Sequence, residues 1–225
     1  MKKLIIIGAR GFGREIYNLA TQCKGYSSEF EIKGFIDDKS DALDGLCGYP
    51  LILGAADTYA VQADDVFVCA LGEPKYKKYY VDLIREKGGV FHTLVHPSAI
   101  ITSNTSVGSG CLILPNVYVS CDVKIDDFVT LQPFCVIGHD AHIGSFAHLN
   151  AYAFMGGYSH MEAGATLHTG AKVLPHMKVG AWATVGAGSV VLRNVKAGTT
   201  VFGMPAVQIA VPVKTDSSKL EPGNG

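Results

Sequence analysis

Histidines are concentrated in one part of this chain. Six of the eight lie between positions 139 and 176, and one of them, His139, is followed directly by Asp140. A neutral imidazole can remove a proton from an attacking nucleophile near neutral pH, because its ordinary pKa is about 6.5. An adjacent carboxylate can hold the ring in one tautomer and raise its basicity. We therefore interpret His139 as a candidate general base and Asp140 as its orienting acid.

These histidines lie within a six-residue repeat. From Ile101 to Val191, every sixth residue is aliphatic or methionine over sixteen consecutive positions. This period is typical of a parallel β-helix, in which short strands stack into ladders around a continuous core. Aliphatic residues take the inward positions, so the histidines must lie at corners or on outer faces. The residue two positions before each step is usually small, as at Cys111, Cys135, Ala141, Ala147, Ala153, Ser159, Ala165, Ala171, Ala183 and Ser189.

The first 95 residues have a different pattern. An apolar strand over 2–7 leads into the glycine-rich run Gly8-Ala9-Arg10-Gly11-Phe12-Gly13, and residues 14–20 have helical spacing. Alternating strands and helices predict an α/β domain with a small parallel sheet. The pattern predicts three further strands over 32–36, 66–71 and 91–95, and a second helix over 75–87.

Several residues fall at the carboxyl ends of these strands, where parallel sheets bind ligands. A strand, a glycine turn and a helix together favour an anion, although the turn could instead need glycine for close packing. The spacing G-x-x-G-x-G differs from the dinucleotide fingerprint, so NAD is not favoured. The two acids after the second strand could accept hydrogen bonds from sugar hydroxyls or lie in a solvated loop. The candidate substrate-binding residues are Gly11, Phe12, Gly13, Asp37, Asp38 and Gly72.

A His96-Pro97-Ser98-Ala99 junction precedes the repeat, and Gly203-Met204-Pro205-Ala206 follows it. With these motifs the chain resembles the sialic acid O-acetyltransferase-like family of hexapeptide-repeat acyltransferases, close to the bacterial UDP-amino-sugar N-acetyltransferases. The resemblance implies a Rossmann-like α/β domain over 1–95 and an all-β left-handed parallel β-helix over 96–210, with about 18 residues per coil. Residues 211–225 are polar, and we expect a mobile tail.

The resemblance also implies an enzyme and a mechanism. It implies direct transfer of acetyl from acetyl-CoA, as co-substrate, to the amine of a nucleotide-linked amino sugar, with His139 as the base. His148 would contact the acetyl group or the cofactor, and Thr169 and Ala187 would present backbone amides to acetyl-CoA. His139 and His148 are nine residues apart, or half a coil. If both serve one site, they must come from neighbouring subunits, and a homotrimer is therefore predicted.

Other functions remain open. Within the same class, the acceptor could be the hydroxyl of a sugar or sialic acid. From other classes, the chain could be a non-catalytic scaffold or nucleotide sensor. It could also be a zinc hydratase of the left-handed β-helix type, but that site needs two histidines five residues apart, a spacing that this chain lacks.

A second group of polar residues shares one column of the predicted coils. His142 and His160 are one coil apart, and Lys124 and Lys178 continue their column. This column could be a metal site or a basic stripe for the phosphates of coenzyme A. A solvated polar surface is the favoured interpretation, because stacked histidines need a third ligand to form a metal site, and no metal is expected.

Composition excludes some partners. The net charge is −1, which argues against a nucleic-acid surface. No apolar run reaches the roughly 18 residues that a membrane-spanning helix needs. The six cysteines include no CxxC pair, and we expect free thiols in the reducing cytoplasm.

Overall fold

The computed structural model of the chain describes residues 1–209. The tail predicted over 211–225 lies outside the described residues. The N-terminal part consists of β1 (Lys2–Ile7), α1 (Gly11–Ala20), β2 (Phe30–Ile36), β3 (Asp65–Cys69), α2 (Pro74–Glu86) and β4 (Val90–Phe91).

The N-terminal strands form one parallel sheet in the order β2-β1-β3-β4. The central strand β1 has an almost continuous apolar run, as expected for a parallel strand that is covered on both sides. Leu4 and Ile6 pack into one apolar cluster, and Ile5 and Ile7 pack into another on the opposite face. The carboxyl ends of β1, β2 and β3 therefore meet at one edge of the sheet.

The remaining strands are short and belong to the β-helix. They are β5 (Leu94–Val95), β6 (Ile100–Ile101), β7 (Ser106–Val107), β8 (Leu112–Ile113), β9 (Tyr118–Val119), β10 (Lys124–Ile125), β11 (Thr130–Leu131), β12 (Val136–Ile137), β13 (His142–Ile143), β14 (His148–Leu149), β15 (Phe154–Met155), β16 (His160–Met161), β17 (Thr166–Leu167), β18 (Lys172–Val173), β19 (Lys178–Val179), β20 (Thr184–Val185), β21 (Val190–Val191), β22 (Thr200–Phe202) and β23 (Val207–Ile209).

Three parallel sheets make up the sides of the β-helix. Face 1 contains β5, β8, β11, β14, β17, β20 and β22. Face 2 contains β6, β9, β12, β15, β18 and β21. Face 3 contains β7, β10, β13, β16 and β19. Paired residues such as Thr130 and His148 are 18 apart in sequence. The predicted ladder residues from Ile113 to Val191 are buried in one core. This arrangement confirms the predicted fold class, an α/β domain followed by a left-handed parallel β-helix.

The regular repeat ends after Val191. Thr184 pairs with Thr200, so the last coil is 16 residues long and not 18. The final strand, β23, runs antiparallel to β22. The ladder residue of that coil, Val201, is still buried against the core.

Most predicted boundaries differ from the structure by one or two residues, and two differences have a clear physical reason. The strand predicted over 91–95 is divided, because β4 belongs to the N-terminal sheet while β5 pairs with β8 on face 1. The glycine run was predicted to precede the first helix, but α1 already begins at Gly11. The helix can start there because Gly13 has no side chain. A Cβ at that position would lie 1.9 Å from the carbonyl oxygen of Gly8.

The N-terminal domain packs on face 1 and on the adjoining corner. Leu112 and Leu114 of the β-helix join the apolar cluster on one side of the N-terminal sheet, and Phe128 joins the cluster on the other side. Arg85 of α2 lies over the ring of Phe128, with 4.5 Å between its guanidinium carbon and the ring centroid. This packing places the carboxyl edge of the sheet beside the outer surface of face 1.

Candidate active site

A first cavity of about 270 Å³ opens at the carboxyl edge of the N-terminal sheet. Its lining includes all six residues that the sequence analysis proposed for substrate binding, namely Gly11, Phe12, Gly13, Asp37, Asp38 and Gly72. These residues follow the ends of β2 and β3 or lie in the first turn of α1. The structure therefore brings them together, while their role in binding stays a prediction.

The start of α1 contributes open backbone donors to this cavity. Arg10 at the N-cap makes no side-chain capping bond, and the first turn contains no acidic residue. The first amide groups of a helix carry a partial positive charge that attracts anions. The two glycines in this turn differ in the space available for a side chain. Gly13 is needed for close packing, whereas a Cβ on Gly11 would have no atom within 4 Å.

The two acids of the first cavity have partners within the domain. Asp37 accepts from the amide of Ala9 at 2.8 Å and from the amide of Lys39 at 2.9 Å. Asp38 accepts from the hydroxyl of Tyr80. Burial, with the neighbouring Asp38 carboxylate as a further cause, raises the pKa of the Tyr80 hydroxyl. Each carboxylate can accept several hydrogen bonds, so acceptor positions remain for a ligand.

A second cavity of about 410 Å³ lies between the N-terminal domain and face 1. Phe12, Gly72 and Glu73 line both cavities, so the two spaces meet at these three residues. On the β-helix side, the second cavity is lined by outward residues of face 1 and its turns. These are Gln132, His148, Asn150, Gly164, Thr166, His168, Trp182 and Thr184.

His148 is the most enclosed titratable side chain of the second cavity. It is 1% exposed and has Phe12 against its ring, with 6.0 Å between the ring centroids. Burial is the largest cause that lowers its pKa well below the ordinary value, and the charges of Lys77 and His168 lower it further. His148 is therefore neutral at physiological pH.

The hydrogen bonds of His148 define its tautomer. Nε2 lies 3.3 Å from the amide nitrogen of Gln132, which can only donate, so Nε2 accepts and the ring proton is on Nδ1. Nδ1 is buried and has no partner among residues 1–209. A buried N–H group without a partner is unfavourable, and a ligand acceptor in the second cavity would satisfy it.

His139 and Asp140 form the predicted pair. The Asp140 carboxylate accepts from Nδ1 of His139 at 2.8 Å, which leaves the Nε2 lone pair free to take a proton. The pair lies in the turn between face 2 and face 3, and both side chains are open to solvent. Tyr158 meets the imidazole edge-on, with 5.2 Å between the ring centroids. A Cβ on Gly157 would lie 2.7 Å from Nε2, so glycine at this position leaves room for the ring.

The two predicted histidines do not share a site within one chain. His148 is on face 1 under the N-terminal domain, whereas His139 is at the corner after face 2 and does not line the second cavity. Thr169 and Ala187 lie at the corner between faces 1 and 2, one coil apart and exposed. The amide of Gly188 donates to the carbonyl of Thr169 at 2.9 Å, which joins the two coils at this corner.

The residues of this region that sequence reasoning missed include Gln132, Glu73 and Lys77. Gln132 is 16 residues before His148, so the 18-residue period brings it near on the next coil. Glu73 is the N-cap residue of α2 and Lys77 lies within that helix, and only the docking of the helix on face 1 places them here.

The predicted polar column is present on face 3. His142 and His160 are paired, with 4.6 Å between their ring centroids, and Lys124 and Lys178 continue the column. Asp126 accepts from His142 at 2.9 Å, and Glu162 accepts from Lys178 at 2.5 Å. Across residues 1–209, no group of three His, Cys, Asp or Glu side chains is arranged to hold a metal ion. In the same part of the chain, no helix has the length and apolarity needed to cross a bilayer.

The fold and site define a class: a hexapeptide-repeat β-helix whose N-terminal α/β domain presents a ligand cavity beside face 1. Comparisons with known proteins agree with this class. Residues 3–84 match the family model of the PglD N-terminal domain. A sequence comparison with curated proteins finds no match.

Solved structures of the same architecture cover nearly the whole chain. WeeI from Acinetobacter baumannii AYE is 28% identical, with a TM-score of 0.81, over 93% of this chain and 100% of its own. The acetyltransferase domain of PglB from Neisseria gonorrhoeae FA1090 is 24% identical, with a TM-score of 0.84, over 93% and 100%. PerB from Caulobacter crescentus, solved with CoA and GDP-perosamine, is 24% identical, with a TM-score of 0.82, over 93% and 98%.

These findings confirm the resemblance to the hexapeptide-repeat acetyltransferases with a PglD-type N-terminal domain. The solved structures include an acetyltransferase domain, in agreement with the predicted enzyme class.

Proposed function

We propose that this chain transfers the acetyl group of acetyl-CoA to the amine of a nucleotide-linked amino sugar. The observation that carries the proposal is the junction of the two cavities at Phe12, Gly72 and Glu73. A ligand whose phosphates lie at the start of α1 can extend its sugar past Gly72 into the second cavity. The complex of PerB with CoA and GDP-perosamine supports this choice of substrate class.

In the proposed reaction, the acceptor nitrogen attacks the carbonyl carbon of the thioester. Nε2 of His139 takes the proton that the nitrogen loses, while Asp140 holds the opposite side of the ring. The C–S bond then breaks, and coenzyme A leaves as a thiolate that recovers a proton from the imidazolium. His148 donates from Nδ1 to the acyl oxygen as negative charge develops there. Thr169 and Ala187 present their backbone to acetyl-CoA at the corner between faces 1 and 2.

We propose that the working unit is a homotrimer in which face 2 contacts a second copy. The outward side chains of this face are Ile100, Tyr118, Val136, Phe154, Lys172 and Val190. The first four form an apolar ladder, of which the first three are exposed, and Lys172 separates it from Val190. Exposed apolar surface of this extent marks an interaction site. Face 1 carries the N-terminal domain, and face 3 carries charged pairs. His139 borders one edge of face 2, so packing there brings it to the groove beside a neighbouring chain.

We place the reaction in the cytoplasm, the reducing compartment that fits six free thiols. All six cysteines are unpaired in the described part of the chain, and four of them are buried.

The central experiment is thiol release from acetyl-CoA by the purified protein. We expect release with at least one amino sugar in a panel of UDP-, GDP-, dTDP- and CMP-linked sugars, and little with matched sugars that carry a hydroxyl instead. Mass spectrometry of the product should show one added acetyl group. Release only with hydroxyl acceptors or free sialic acid would favour O-acetylation. No release with any acceptor would favour a scaffold or sensor.

Glu73 is the one acidic side chain that lines the second cavity within residues 1–209. An acceptor amine is partly protonated in water, and a carboxylate at the cavity junction would attract it. We expect Glu73→Gln to raise KM for the amino sugar about tenfold, which corresponds to ~1.4 kcal/mol, and to leave KM for acetyl-CoA unchanged. Steady-state kinetics with each substrate varied in turn will measure this.

The matched control for Glu73 is Glu86→Gln, because Glu86 is exposed at the end of the same helix and lines neither cavity. An unchanged KM for the amino sugar in Glu73→Gln, or an equal increase in Glu86→Gln, would remove Glu73 from the binding site.

A further inference from the structure

Lys77 is a buried cation that the proposed reaction does not use. It lies on the inner side of α2 and is 2% exposed. Its ammonium donates to the hydroxyl of Thr130 at 2.5 Å and to the carbonyl of Phe128 at 3.4 Å. Both acceptors are neutral, and within residues 1–209 no carboxylate forms an ion pair with it. The lysine therefore holds a charge between the two domains without a counter-ion.

Such an arrangement is unfavourable for stability. Burial is the main cause that lowers the pKa of Lys77 to about 8, and the nearby thiols of Cys69 and Cys111 oppose that change. An apolar side chain of similar length would fill the same space without the desolvation penalty. Buried ionisable groups with a shifted pKa often serve function, and the position of Lys77 between α2 and face 1 indicates what that function is.

The ammonium of Lys77 lies next to the strand that carries His148. Thr130, its hydrogen-bond partner, is paired in register with His148 on the adjacent strand. A positive charge bonded to the neighbouring strand opposes a second positive charge on the imidazole. The other charged or titratable groups around His148 are His168 on the next coil, and Glu73 and Lys75 at the start of α2.

We propose that Lys77 is a positioning residue that acts together with burial to keep His148 neutral, with its proton on Nδ1 and its acceptor on Nε2. A doubly protonated ring could no longer accept from Gln132 and would turn away from it. The neutral tautomer keeps the Nδ1–H donor in place for the acyl oxygen of the thioester. The catalytic purpose rests on the proposed function, but the electrostatic link between the two side chains can be measured without any substrate.

The test is an NMR titration of the full-length protein labelled with ¹⁵N in histidine, with His148→Gln used to assign the resonance. The variants are Lys77→Met, which removes the charge and keeps the volume, and Lys77→Gln, which removes the charge and keeps a donor. We expect the titration midpoint of His148 to rise by roughly one pH unit in both. Lys78→Met is the matched control, since Lys78 is exposed on the same helix and pairs with Asp82.

An unchanged His148 midpoint in a folded Lys77→Met or Lys77→Gln variant overturns the proposal. Lower thermal stability together with that unchanged midpoint would assign Lys77 a packing role instead. If Lys77→Met does not fold, the Lys77→Gln variant tests the proposal, because glutamine can still donate to Thr130. Failure of the wild-type protein to acetylate any sugar would overturn the proposed function but would leave a shifted midpoint as evidence for the link.

Discussion

Replacement of His139 by asparagine should lower kcat by about 10²- to 10⁴-fold, the usual contribution of a general base. Asparagine is close to histidine in size but cannot take a proton from the acceptor amine. KM for both substrates should change little, because His139 lines neither cavity of its own chain. Stopped-time assays of acetylated product will measure the loss, with sedimentation to show that the assembly is intact.

Asp140→Asn should give a smaller loss, on the order of tenfold, because the carboxylate is more than one-third exposed and water can replace part of its hydrogen bond. His160→Asn is the control, since this histidine lies on face 3, away from the proposed groove. A His139→Asn enzyme with near wild-type kcat would show that another group is the base.

A charge placed on face 2 should dissociate the trimer and abolish activity. Tyr118→Glu puts a carboxylate in the middle of the apolar ladder of Ile100, Tyr118 and Val136. Burying an unpaired charge at an interface costs several kcal/mol per chain, so we expect monomers at micromolar concentration. The variant should still fold, because Tyr118 points outward and the core residue of its strand is Val119. Sedimentation velocity and circular dichroism will measure the two properties.

The control for this interface is Ser106→Glu, which adds the same charge to an exposed outward position on face 3. A Tyr118→Glu protein that remains a trimer, or a wild-type protein that is a monomer, would contradict the proposed interface.

Mixed trimers test whether the site is shared between chains. We expect His139→Asn and His148→Gln to be inactive alone, and a refolded equal mixture to recover up to about one quarter of wild-type activity. Recovery follows because some neighbouring pairs then supply an intact His139 and an intact His148 from different chains. No recovery in mixed trimers would contradict a site built from His139 and His148 of neighbouring chains.

The regular part of the fold was predictable from local patterns. Because the coil length is constant, simple counting placed His142 beside His160, and the structure confirms this pair. The contact of Asp140 with His139 depends on adjacent residues in one turn, and it too could be anticipated. The six candidate binding residues follow strands or a glycine turn, so their convergence on one cavity follows from parallel-sheet geometry.

Features that depend on tertiary or close backbone contacts could not be predicted from local sequence patterns. The burial of His148 requires Phe12 to lie over its ring, and these residues are far apart in sequence. The early start of α1 at Gly11 depends on the close approach of Gly13 to Gly8, a local contact that the glycine spacing alone does not specify. The pairing of β5 with face 1 likewise depends on where the first coil meets the N-terminal domain.

The amino-acid sequence alone determined the two architectures, the length of the coil and the residues at each strand end, because a short period constrains every residue through near neighbours. Only the tertiary structure decided that the N-terminal domain covers face 1, joins the two cavities and encloses His148 beside Lys77. Those outcomes depend on which apolar surfaces pack together across the chain, and no local period encodes that choice.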